Sequence, residues 1–520
     1  MKNRRRRARG TGPALPYAVS ARPATRVSAD PRPERPGRCD AEPMSVTEAP
    51  LVNGVRALIP PSRRWGPATI GALAVAFALL WIAVGPRGGG WVSFAGQLAG
   101  AEAVLLMSTA MVLISMLPLV EAWFDGIDRA AIWHRRLSIA GLVLLAPHVL
   151  FASGDLARPP AGAVTPVAGS GGLHLGGPLA QVGVWGLLAL AVWAIAPRWR
   201  TMLPWIGPHL ARYADRLSAY PAARRVLAAG RWVFGGYERW RSLHRLTGLF
   251  LAAGFVHGLL DGTVFGSAVL RWSYLVTGGV GLAFYLYRET VARHFLPLHD
   301  YQVATVTPVG PGLTELALVP LGKPMSYRPG QFAMLFLETG AGWRRHPFTI
   351  SGAPHDETLR FTIKALGDDT ARMQTLVRPG MPAVVGGPHG RFDHARGTGR
   401  QIWIAGGIGI TPFLSWLRAL DEHASPGRVD LFYSTPGEAP FADEIAAIAH
   451  DHPGLRVHLH DSTTAGYLTA EQVLARAGGD PHELSVFLCG PAPMVGAFVR
   501  RFRQAGIRGR DIHREHFDWR

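Results

Sequence analysis

The sequence predicts a multi-domain membrane protein, with a six-helix transmembrane bundle followed by an antiparallel β-barrel and then by an α/β domain built on a parallel sheet. Six apolar segments, each about long enough to cross the hydrocarbon layer, lie between residues 67 and 287. After residue 288, short β-like runs are broken by proline and glycine, which is typical of a small antiparallel barrel. From residue 401, strands alternate with helices, and this alternation indicates a parallel sheet of nucleotide-binding topology.

Composition narrows the class of protein. The chain has 520 residues, of which 48% are hydrophobic, and its formal net charge of +18 is carried mostly by arginine. The arginines cluster in the N-terminal tail and in loops beside apolar helices, which is the distribution of a membrane protein and argues against a nucleic-acid partner. The two cysteines, Cys39 and Cys489, are too few for a disulfide framework, a zinc cluster or an iron-sulfur cluster in this chain.

The predicted domains follow from shifts in composition. Residues 1–62 are rich in arginine, proline and alanine and predict a disordered basic tail, in which Met44 is a second candidate for the true start. The Arg4 to Arg7 run lies too far from the first apolar helix to belong to a signal peptide. We assign residues 63–290 to the transmembrane domain, 291–398 to the barrel and 399–520 to the α/β domain.

The charge of the connecting segments predicts the orientation of the helices. The expected spans are Pro67 to Val84, Ala103 to Val120, Leu137 to Ser153, Leu179 to Ala196, Leu246 to Leu260 and Val269 to Tyr287. Arginine is concentrated before the first span and between the fourth and fifth, whereas the loops around residues 88, 171 and 262 have almost no positive charge. Because arginine-rich loops stay in the cytoplasm, both termini are expected on the cytoplasmic side of a cell membrane.

One apolar segment contains two histidines. Placing an ionisable side chain within a membrane costs free energy, so such residues indicate a function. His134 and His148 are 14 residues apart. An ideal helix separates them by about 21 Å along its axis and turns both toward nearly the same side.

A second segment repeats the arrangement with His244 and His257, which are 13 residues apart. An ideal helix would place these two side chains roughly 220° apart around its axis. A kink is therefore needed to align them, and Gly248 and Gly254 lie where one is expected.

Facing helices would bring the four histidines together as two pairs. His134 would meet His244 near the cytoplasmic face, and His148 would meet His257 near the outer face. Two imidazoles at one level between apolar walls form a bis-histidine haem b site, so two levels predict two stacked haems with four iron ligands. The alternative, histidines at helix ends bonded to neighbours or water, explains the cytoplasmic pair better than the outer pair.

Two motifs in the barrel region have a composition suited to an anionic cofactor. The first is His346-Pro347-Phe348-Thr349-Ile350-Ser351, and the second is Gly386-Gly387-Pro388-His389-Gly390. Small residues in the second allow backbone N–H groups to approach an anion. Either motif alone is also compatible with an ordinary β-turn.

Two further motifs belong to the α/β domain. Ala405-Gly406-Gly407-Ile408-Gly409-Ile410-Thr411-Pro412 follows a predicted strand and begins a helix, whose N-terminus can bind the pyrophosphate of a dinucleotide. Cys489-Gly490-Pro491 ends a later strand and strengthens this interpretation. Taken alone, Cys489 is more typical of a small buried residue that closes a strand.

In this order, the four histidines and the four motifs across residues 67–520 resemble the ferric reductase and NADPH oxidase superfamily. Members fuse a six-helix bis-haem membrane domain to a ferredoxin-reductase-like module. The resemblance implies an NAD(P)H-dependent flavocytochrome b oxidoreductase with FAD and two haem b groups as cofactors. Electrons would pass from NAD(P)H to an acceptor outside the cytoplasm, across the lipid bilayer.

The resemblance also implies roles for residues of the motifs. His346 would bind the FAD diphosphate, Phe348 would pack near the isoalloxazine, and Thr349 would approach its N5 as a catalytic residue. The remaining members of the predicted flavin site are Pro347, Ser351, Lys364, Gly387, Pro388 and Gly390. The dinucleotide would be bound by Gly406, Gly407, Gly409, Thr411, Pro412, Gly490 and Pro491. Cys489 would lie beside the nicotinamide, and Phe517, or else Trp519, would cover the flavin and move during catalysis.

Several alternatives stay open. Ferric chelates and dioxygen both need only an exposed outer haem edge, and Ala152 stands where oxygen-reducing relatives often have a second histidine, which favours ferric iron over superoxide production. Thr435-Pro436 replaces an arginine that grips the 2′-phosphate of NADPH in many relatives, so NADH and NADPH are both candidates. Two other classes are a membrane-anchored flavin reductase with a cytosolic acceptor and a non-enzymatic haem-binding membrane protein.

Overall fold

The computed structural model describes residues 65–515, apart from residues 86–89, 116, 153–174, 196–208, 261–266, 293–297, 339–341 and 421–426 and all but a few positions of 210–236. The predicted tail, Met44, Cys39, Phe517, Trp519 and most of the arginine-rich loop before residue 237 lie outside these residues. The predictions made for them therefore stay predictions.

The first half of the described chain is helical. Its helices are α1 (Trp65–Val84), α2 (Gly90–Leu113), α3 (Pro118–Phe124), α4 (Ile127–Ala152), α5 (Gly176–Ile195), α6 (Tyr237–His244), α7 (Thr247–Leu260) and α8 (Ala268–Leu286), which continues as a π-helical turn, Tyr287–Ala292. Among the described residues, five helical stretches are long and apolar enough to cross a membrane: Trp65–Val84, Gly90–Leu113, Gly176–Ala194, Trp240–Leu260 and Ala268–Ala292. The helix that contains His134 and His148, α4, is not one of the five.

The second helix lies elsewhere than the sequence predicted. The expected span from Ala103 to Val120 is wrong, because α2 begins at Gly90, ends at Leu113 and is followed by a separate short helix that Pro118 begins. Hydropathy missed the first part of α2 because that part is rich in small residues. These residues are needed for packing, since α2 lies inside the bundle and most of its length is buried.

The second histidine pair is aligned by a break in the helix, and the predicted position of the break was wrong. It lies at residues 245 and 246, between α6 and α7, rather than at Gly248 or Gly254. The Thr247 hydroxyl donates to the carbonyl oxygen of His244 at 2.5 Å, and the Leu246 N–H bonds three residues back to Leu243 at 2.9 Å. This tight turn replaces the regular helical hydrogen bonds at the break.

An antiparallel barrel sheet follows the helices. Its strands are β1 (Leu298–Gly310), β2 (Leu313–Pro320), β3 (Phe332–Glu338), β4 (Trp343–Thr349), β5 (Leu359–Lys364) and β6 (Pro382–His389), in the order β4-β3-β6-β1-β2-β5. A bridge between Ile350 and Phe361 joins the two ends of this order. The predicted antiparallel domain is confirmed, and helix α9 (Asp368–Leu376) follows β5.

The predicted parallel sheet is also confirmed. Its strands are β7 (Arg400–Gly406), β8 (Arg428–Thr435), β9 (Leu455–Asp461), β10 (Leu484–Cys489) and β11 (Ile512–Arg514), in the order β11-β10-β7-β8-β9. The helices between them are α10 (Thr411–Arg418), α11 (Ala442–Asp451), α12 (Ala470–Ala477) and α13 (Ala492–Gln504). The chain runs from β7 to one side of the sheet and then returns to β10 on the other side. The direction of winding therefore changes between β7 and β10.

One arginine ties the two sheets together. Arg418, at the end of α10, donates to Glu444 on α11 at 2.6 Å, to Glu315 on β2 at 2.8 Å and to the carbonyl oxygen of Ser351 at 2.9 Å. Its side chain is only 9% exposed, so these contacts form a largely desolvated connection between the barrel and the α/β domain.

Arg418→Met is expected to lower the free energy of unfolding by about 3 kcal/mol, because it leaves two carboxylates facing each other without their shared cation. Chemical denaturation of the solubilised protein, followed by tryptophan fluorescence, measures the change. Arg510→Met removes a 70% exposed guanidinium that lies 3.9 Å from Asp511 and should change stability by about 0.5 kcal/mol or less. Equal effects of the two substitutions would contradict the assigned role of Arg418.

Candidate functional site

The structure brings the four predicted histidines together as two pairs. The ring centroids of His134 and His244 are 6.2 Å apart, and those of His148 and His257 are 6.4 Å apart. The planes within the two pairs are inclined at 86° and 61°. Each pair therefore has its two rings close together, one from α4 and the other from α6 or α7.

Helix α2 sets the depth of both pairs. The Nδ1 atom of His134 lies 2.8 Å from the carbonyl oxygen of Ala110, and that of His148 lies 3.0 Å from the carbonyl oxygen of Gly96. These acceptors are 14 residues apart on α2, as their partners are on α4. At about 1.5 Å per residue the two levels are separated by roughly 21 Å.

The other histidine of each pair also has its Nδ1 atom beside an oxygen. His257 Nδ1 lies 3.1 Å from the carbonyl oxygen of Gly176, and His244 Nδ1 lies 3.4 Å from the hydroxyl oxygen of Thr247. An oxygen at Nδ1 fixes the orientation of the ring and makes Nε2 the nitrogen suited to bind a metal.

Small and apolar residues surround the pairs. A Cβ atom on Gly100 would lie 2.4 Å from His148 Nδ1, so only glycine leaves room for this ring. Helices α2, α4, α5, α7 and α8 contribute a common apolar cluster, whose buried members are Met107, Met111, Leu187 and Leu251. Met107 and Leu251 lie between the two histidine levels along α2 and α7, so thioether and hydrocarbon side chains occupy part of this interval.

The barrel places its two motifs on either side of one strand. β3 pairs with β4, which contains His346 to Thr349, and on its other edge with β6, which contains Gly386 to His389. Phe332, the first residue of β3, lies opposite both Thr349 and His389. Both motifs therefore lie on strands, and they meet at one end of β3.

Two basic residues that the sequence interpretation did not select as ligands lie beside the first motif and within the second. Arg345 precedes His346 on β4, and His389 ends β6. Burial, together with the positive charge of Arg345, lowers the pKa of His389 to about 4. At neutral pH, Arg345 is therefore the charged member of this group, and it is the stronger candidate for a contact with a diphosphate.

The glycine turn and the Cys-Gly-Pro motif of the α/β domain pack against each other. The turn that begins with Gly406 follows β7, Cys489 ends β10, and these strands are neighbours with Ala405 opposite Cys489. A Cβ atom on Gly409 would lie 2.3 Å from the Cys489 carbonyl oxygen. This is the point where the winding of the sheet reverses, and ligands of such sheets bind in the crevice at that point.

A buried carboxyl group that the sequence interpretation missed connects the flavin and nicotinamide motifs. Glu515 is 8% exposed, and the Cys489 thiol donates to its Oε2 across 3.7 Å. The Thr349 side chain lies close enough to this carboxyl group to favour its charged form. Burial raises the pKa of the Cys489 thiol well above its usual value, so the residue acts as a neutral thiol.

Glu515→Gln is expected to weaken the dependence of thermal stability on pH. Burial raises the pKa of Glu515 well above the usual 4.5, and the nearby Asp128 carboxyl raises it further. The folded state therefore keeps a proton that the unfolded state has lost. This contribution to stability is full below pH 4.5 and is lost as pH rises toward the folded pKa, by at most about 1.4 kcal/mol per pH unit.

Thermal unfolding between about pH 5 and pH 8 measures this effect. The melting temperature should fall less with rising pH in the variant than in the wild type. Exposed Glu483→Gln is the control, and equal slopes for wild type and Glu515→Gln would contradict the prediction.

Some predicted residues are placed away from the meeting point of the motifs. The Ser351 hydroxyl accepts a hydrogen bond from Thr362 at 3.1 Å and donates to Glu315 at 3.4 Å inside the barrel. Lys364 ends β5, where it lies opposite Leu313 at the start of β2. Phe517 and Trp519 lie beyond the last described residue.

Comparisons with known proteins assign both sheets. Residues 284–398 match the family model of an FAD-binding domain, and residues 403–500 match that of an oxidoreductase NAD-binding domain. The chain is 26% identical to the carnitine monooxygenase reductase subunit of Escherichia coli over 228 residues, which are 42% of this chain and 68% of that protein. It is 30% identical to the reductase subunit of an aromatic O-demethylase of Amycolatopsis over 226 residues, 39% of this chain and 65% of that protein.

A third relative is Dual oxidase 2 of Rattus norvegicus, which is 34% identical over 118 residues, 20% of this chain and 8% of that protein. The chain covers between 53% and 68% of the length of four of the bacterial reductases that it matches. Residues 284–500 thus bind FAD and a nicotinamide nucleotide.

Proposed function

We propose that this chain, whose FAD- and NAD-binding module is of the NADPH-oxidase and ferric-reductase type, is a transmembrane oxidoreductase. It would move electrons from cytosolic NAD(P)H through FAD and two b-type haems to an acceptor outside the cytoplasm. A ferric chelate is the proposed acceptor.

The spacing of the paired histidines supports the haem sites. A metal–imidazole bond is about 2 Å long, and the centre of an imidazole ring lies roughly 1.1 Å from its nitrogen, given ring bonds of about 1.3 Å. Two rings that share one iron therefore have their centroids about 6.2 Å apart. The observed separations of 6.2 and 6.4 Å fit this value.

The residues of the bundle would hold and insulate these groups. Bound haem supplies one-electron transfer, and bound FAD converts a hydride pair into single electrons. His134 and His244 would hold the inner haem and His148 and His257 the outer haem, with each ring oriented through its Nδ1 atom. The apolar cluster around Met107 would exclude water between them.

The nicotinamide and flavin would meet where the motifs of the two sheets converge. The glycine turn that begins with Gly406 would bind the dinucleotide at the reversal point of the parallel sheet, with the Cys489 thiol beside it. Glu515 accepts a hydrogen bond from the Cys489 thiol, lies close to Thr349 and, because burial raises its pKa, holds a proton there. These residues would orient the two rings and hold a proton.

The position of the FAD- and NAD-binding module, residues 284–500, which we call the flavin module, supports the direction of electron transfer. The module contacts the bundle at residues 121–125, which precede His134 on the chain. The pair of His148 and His257 lies at the far end of the bundle. An acceptor reduced there would be outside the cytoplasm.

The identity of residue 152 supports ferric iron over dioxygen. This residue ends α4, one turn beyond His148, and it is alanine. It therefore offers no imidazole to an oxygen molecule beside the outer site. Production of superoxide is the second candidate, and it shares every other residue of the site.

The test is anaerobic reduction of the purified protein by NADH and, separately, by NADPH, followed in the flavin and Soret bands. Addition of ferric citrate and then of air should show which acceptor reoxidises the haem. We expect b-type absorbance that NAD(P)H reduces and ferric citrate reoxidises faster than air. A preparation without b-type absorbance, or one whose flavin is reduced while its haem stays oxidised, would refute the proposal and favour a flavin reductase with a cytosolic acceptor.

A further inference from the structure

The turn between α3 and α4 forms a buried ion pair with the flavin module. We call the helical bundle to which this turn belongs, α1 to α8, the membrane module. Asp125 lies between α3 and α4, and its side chain is 2% exposed. Its carboxylate contacts Arg129 on α4 at 3.1 Å and Arg396, from the short helical turn after β6, at 2.5 Å. The carboxylate is thus shared between one arginine of each module.

Three further contacts surround the ion pair. The Gly390 N–H donates to Glu121 Oε1 at 2.6 Å, and the Arg391 guanidinium donates to the Ala122 carbonyl oxygen at 3.2 Å. Ile127, the first residue of α4, is buried in a small apolar cluster with Phe332 and Met334 of β3. The contacts come from residues 121–127 on the membrane side and from the end of β6 and the start of β3 on the flavin side.

The position of Asp125 is fixed by the helix that precedes it. Asp125 is the C-terminal cap of α3, with a left-handed φ of 60°, and its N–H donates to the carbonyl oxygen of Glu121. A buried carboxylate is costly unless it is paired, and here one of its two arginines comes from the other module. Separation of the modules would remove that arginine, so the pairing favours the docked arrangement.

The ion pair also lies close along the chain to the inner histidine pair on one side and to the predicted flavin site on the other. Asp125 precedes His134 by nine residues, about two and a half turns of α4. On the flavin side, Arg396 follows the predicted phosphate turn at Gly390 by six residues. A change in the ion pair therefore shifts the flavin motifs relative to the inner histidines.

We propose that Asp125 is a positioning residue, whose ion pair with Arg396 holds the flavin module at the separation needed for electron transfer to the inner histidine pair. The effect on electron transfer rests on the proposed function, whereas the docking of the two modules follows from the contacts between them. Electron transfer between fixed centres falls steeply with distance, so loosening this contact slows that one step. Reduction of the flavin by NAD(P)H takes place within the flavin module and does not depend on the contact.

The test uses Asp125→Asn in the full-length protein reconstituted in nanodiscs. Asparagine tolerates the left-handed backbone, so the substitution removes the charge and keeps the turn. In anaerobic stopped-flow mixing with NAD(P)H, flavin reduction should stay within about twofold of wild type, while haem reduction slows by about tenfold or more. Arg396→Met should have the same effect, and Arg396→Lys should restore most of the rate. Asp393→Asn is the control, because it removes a charge from the same turn of the flavin module. Asp393 accepts a hydrogen bond from the Ala395 N–H within that turn, so the substitution should leave both rates unchanged.

Hydrogen exchange gives a readout that does not need haem. The Gly390 amide should exchange about tenfold faster or more in Asp125→Asn than in wild type, because its acceptor Glu121 moves away with the turn. Unchanged haem reduction in both Asp125→Asn and Arg396→Met, or an equal slowing of flavin and haem reduction, would overturn the proposal. If the wild-type protein contains no haem, the proposed function fails, and the docking role is then decided by exchange at Gly390 alone, with unchanged exchange refuting it.

Discussion

His148→Leu is expected to abolish reduction of an impermeant ferric chelate outside oriented proteoliposomes, with a loss of about 100-fold or more, and to remove about half of the haem. Leucine cannot bind iron, so the outer site would keep only the His257 ring. Electrons that reach the inner site would then have no onward path. Reduction of a soluble dye by NAD(P)H at the flavin should stay within about twofold of wild type, because the flavin module is unchanged. Haem content is measured by the pyridine haemochrome assay.

Two glycine substitutions provide the matched control. Gly100→Ala would place a Cβ atom 2.4 Å from His148 Nδ1, whereas Gly279→Ala, on α8, would meet nothing within 4 Å. Gly100→Ala should therefore lower the haem content without removing a ligand, and Gly279→Ala should not change it. Full haem content in His148→Leu would show that His148 is not a ligand. Unaltered reduction outside the vesicles would favour a flavin reductase with a cytosolic acceptor.

Gly409→Ala is expected to slow reduction of the flavin by NAD(P)H by about 100-fold, the second largest effect. The added Cβ atom would lie 2.3 Å from the carbonyl oxygen of Cys489 and 2.8 Å from the amide nitrogen of Gly490. Both are backbone atoms, so the turn after β7 and the turn after β10 must move apart, and the crevice between them is where we place the dinucleotide. Stopped-flow absorbance of the flavin measures the rate.

Dithionite separates this effect from general damage. It reduces flavin and haem without using the dinucleotide site, so Gly409→Ala should respond to dithionite as wild type does. Gly496→Ala on α13 is the control, since its Cβ atom would be 3.7 Å from the nearest neighbour, the end of the Arg500 side chain. Wild-type reduction by NAD(P)H in Gly409→Ala would place the nicotinamide nucleotide elsewhere.

Periodic patterns predicted the elements whose signals are local. The alternation of strands and helices after residue 401 predicted the parallel sheet, which the structure confirms. The 14-residue spacing of His134 and His148 predicted that both would face one side, and the structure brings each to a partner ring. These inferences needed only helix geometry and composition.

Other features depend on packing that single-chain patterns do not record. The sequence left open whether the two barrel motifs form β-turns, and β4 and β6, the strands that contain them, each include proline, which disfavours a strand unless it lies at an edge or near an end. Pro347 is on β4, the last strand in the sheet order, and Pro388 is near the end of β6. Glu515 gave no signal because its partners, Thr349 and Cys489, are distant in sequence. The first turns of α2 were missed because a helix packed inside a bundle needs small residues more than apolar ones.

The two acceptor carbonyls at Gly96 and Ala110 belong to one uninterrupted helix. The length of α2 between them therefore fixes the distance between the two imidazole levels. A substitution between them alters a single contact, but adding or deleting one residue would turn every later position by about 100° and shift it by about 1.5 Å. One of the two imidazole levels would then lose its acceptor. Homologues that keep both levels should therefore keep the length of this interval at fourteen steps and glycine at the position of Gly100, while the amino-acid type varies at positions that touch no histidine ring.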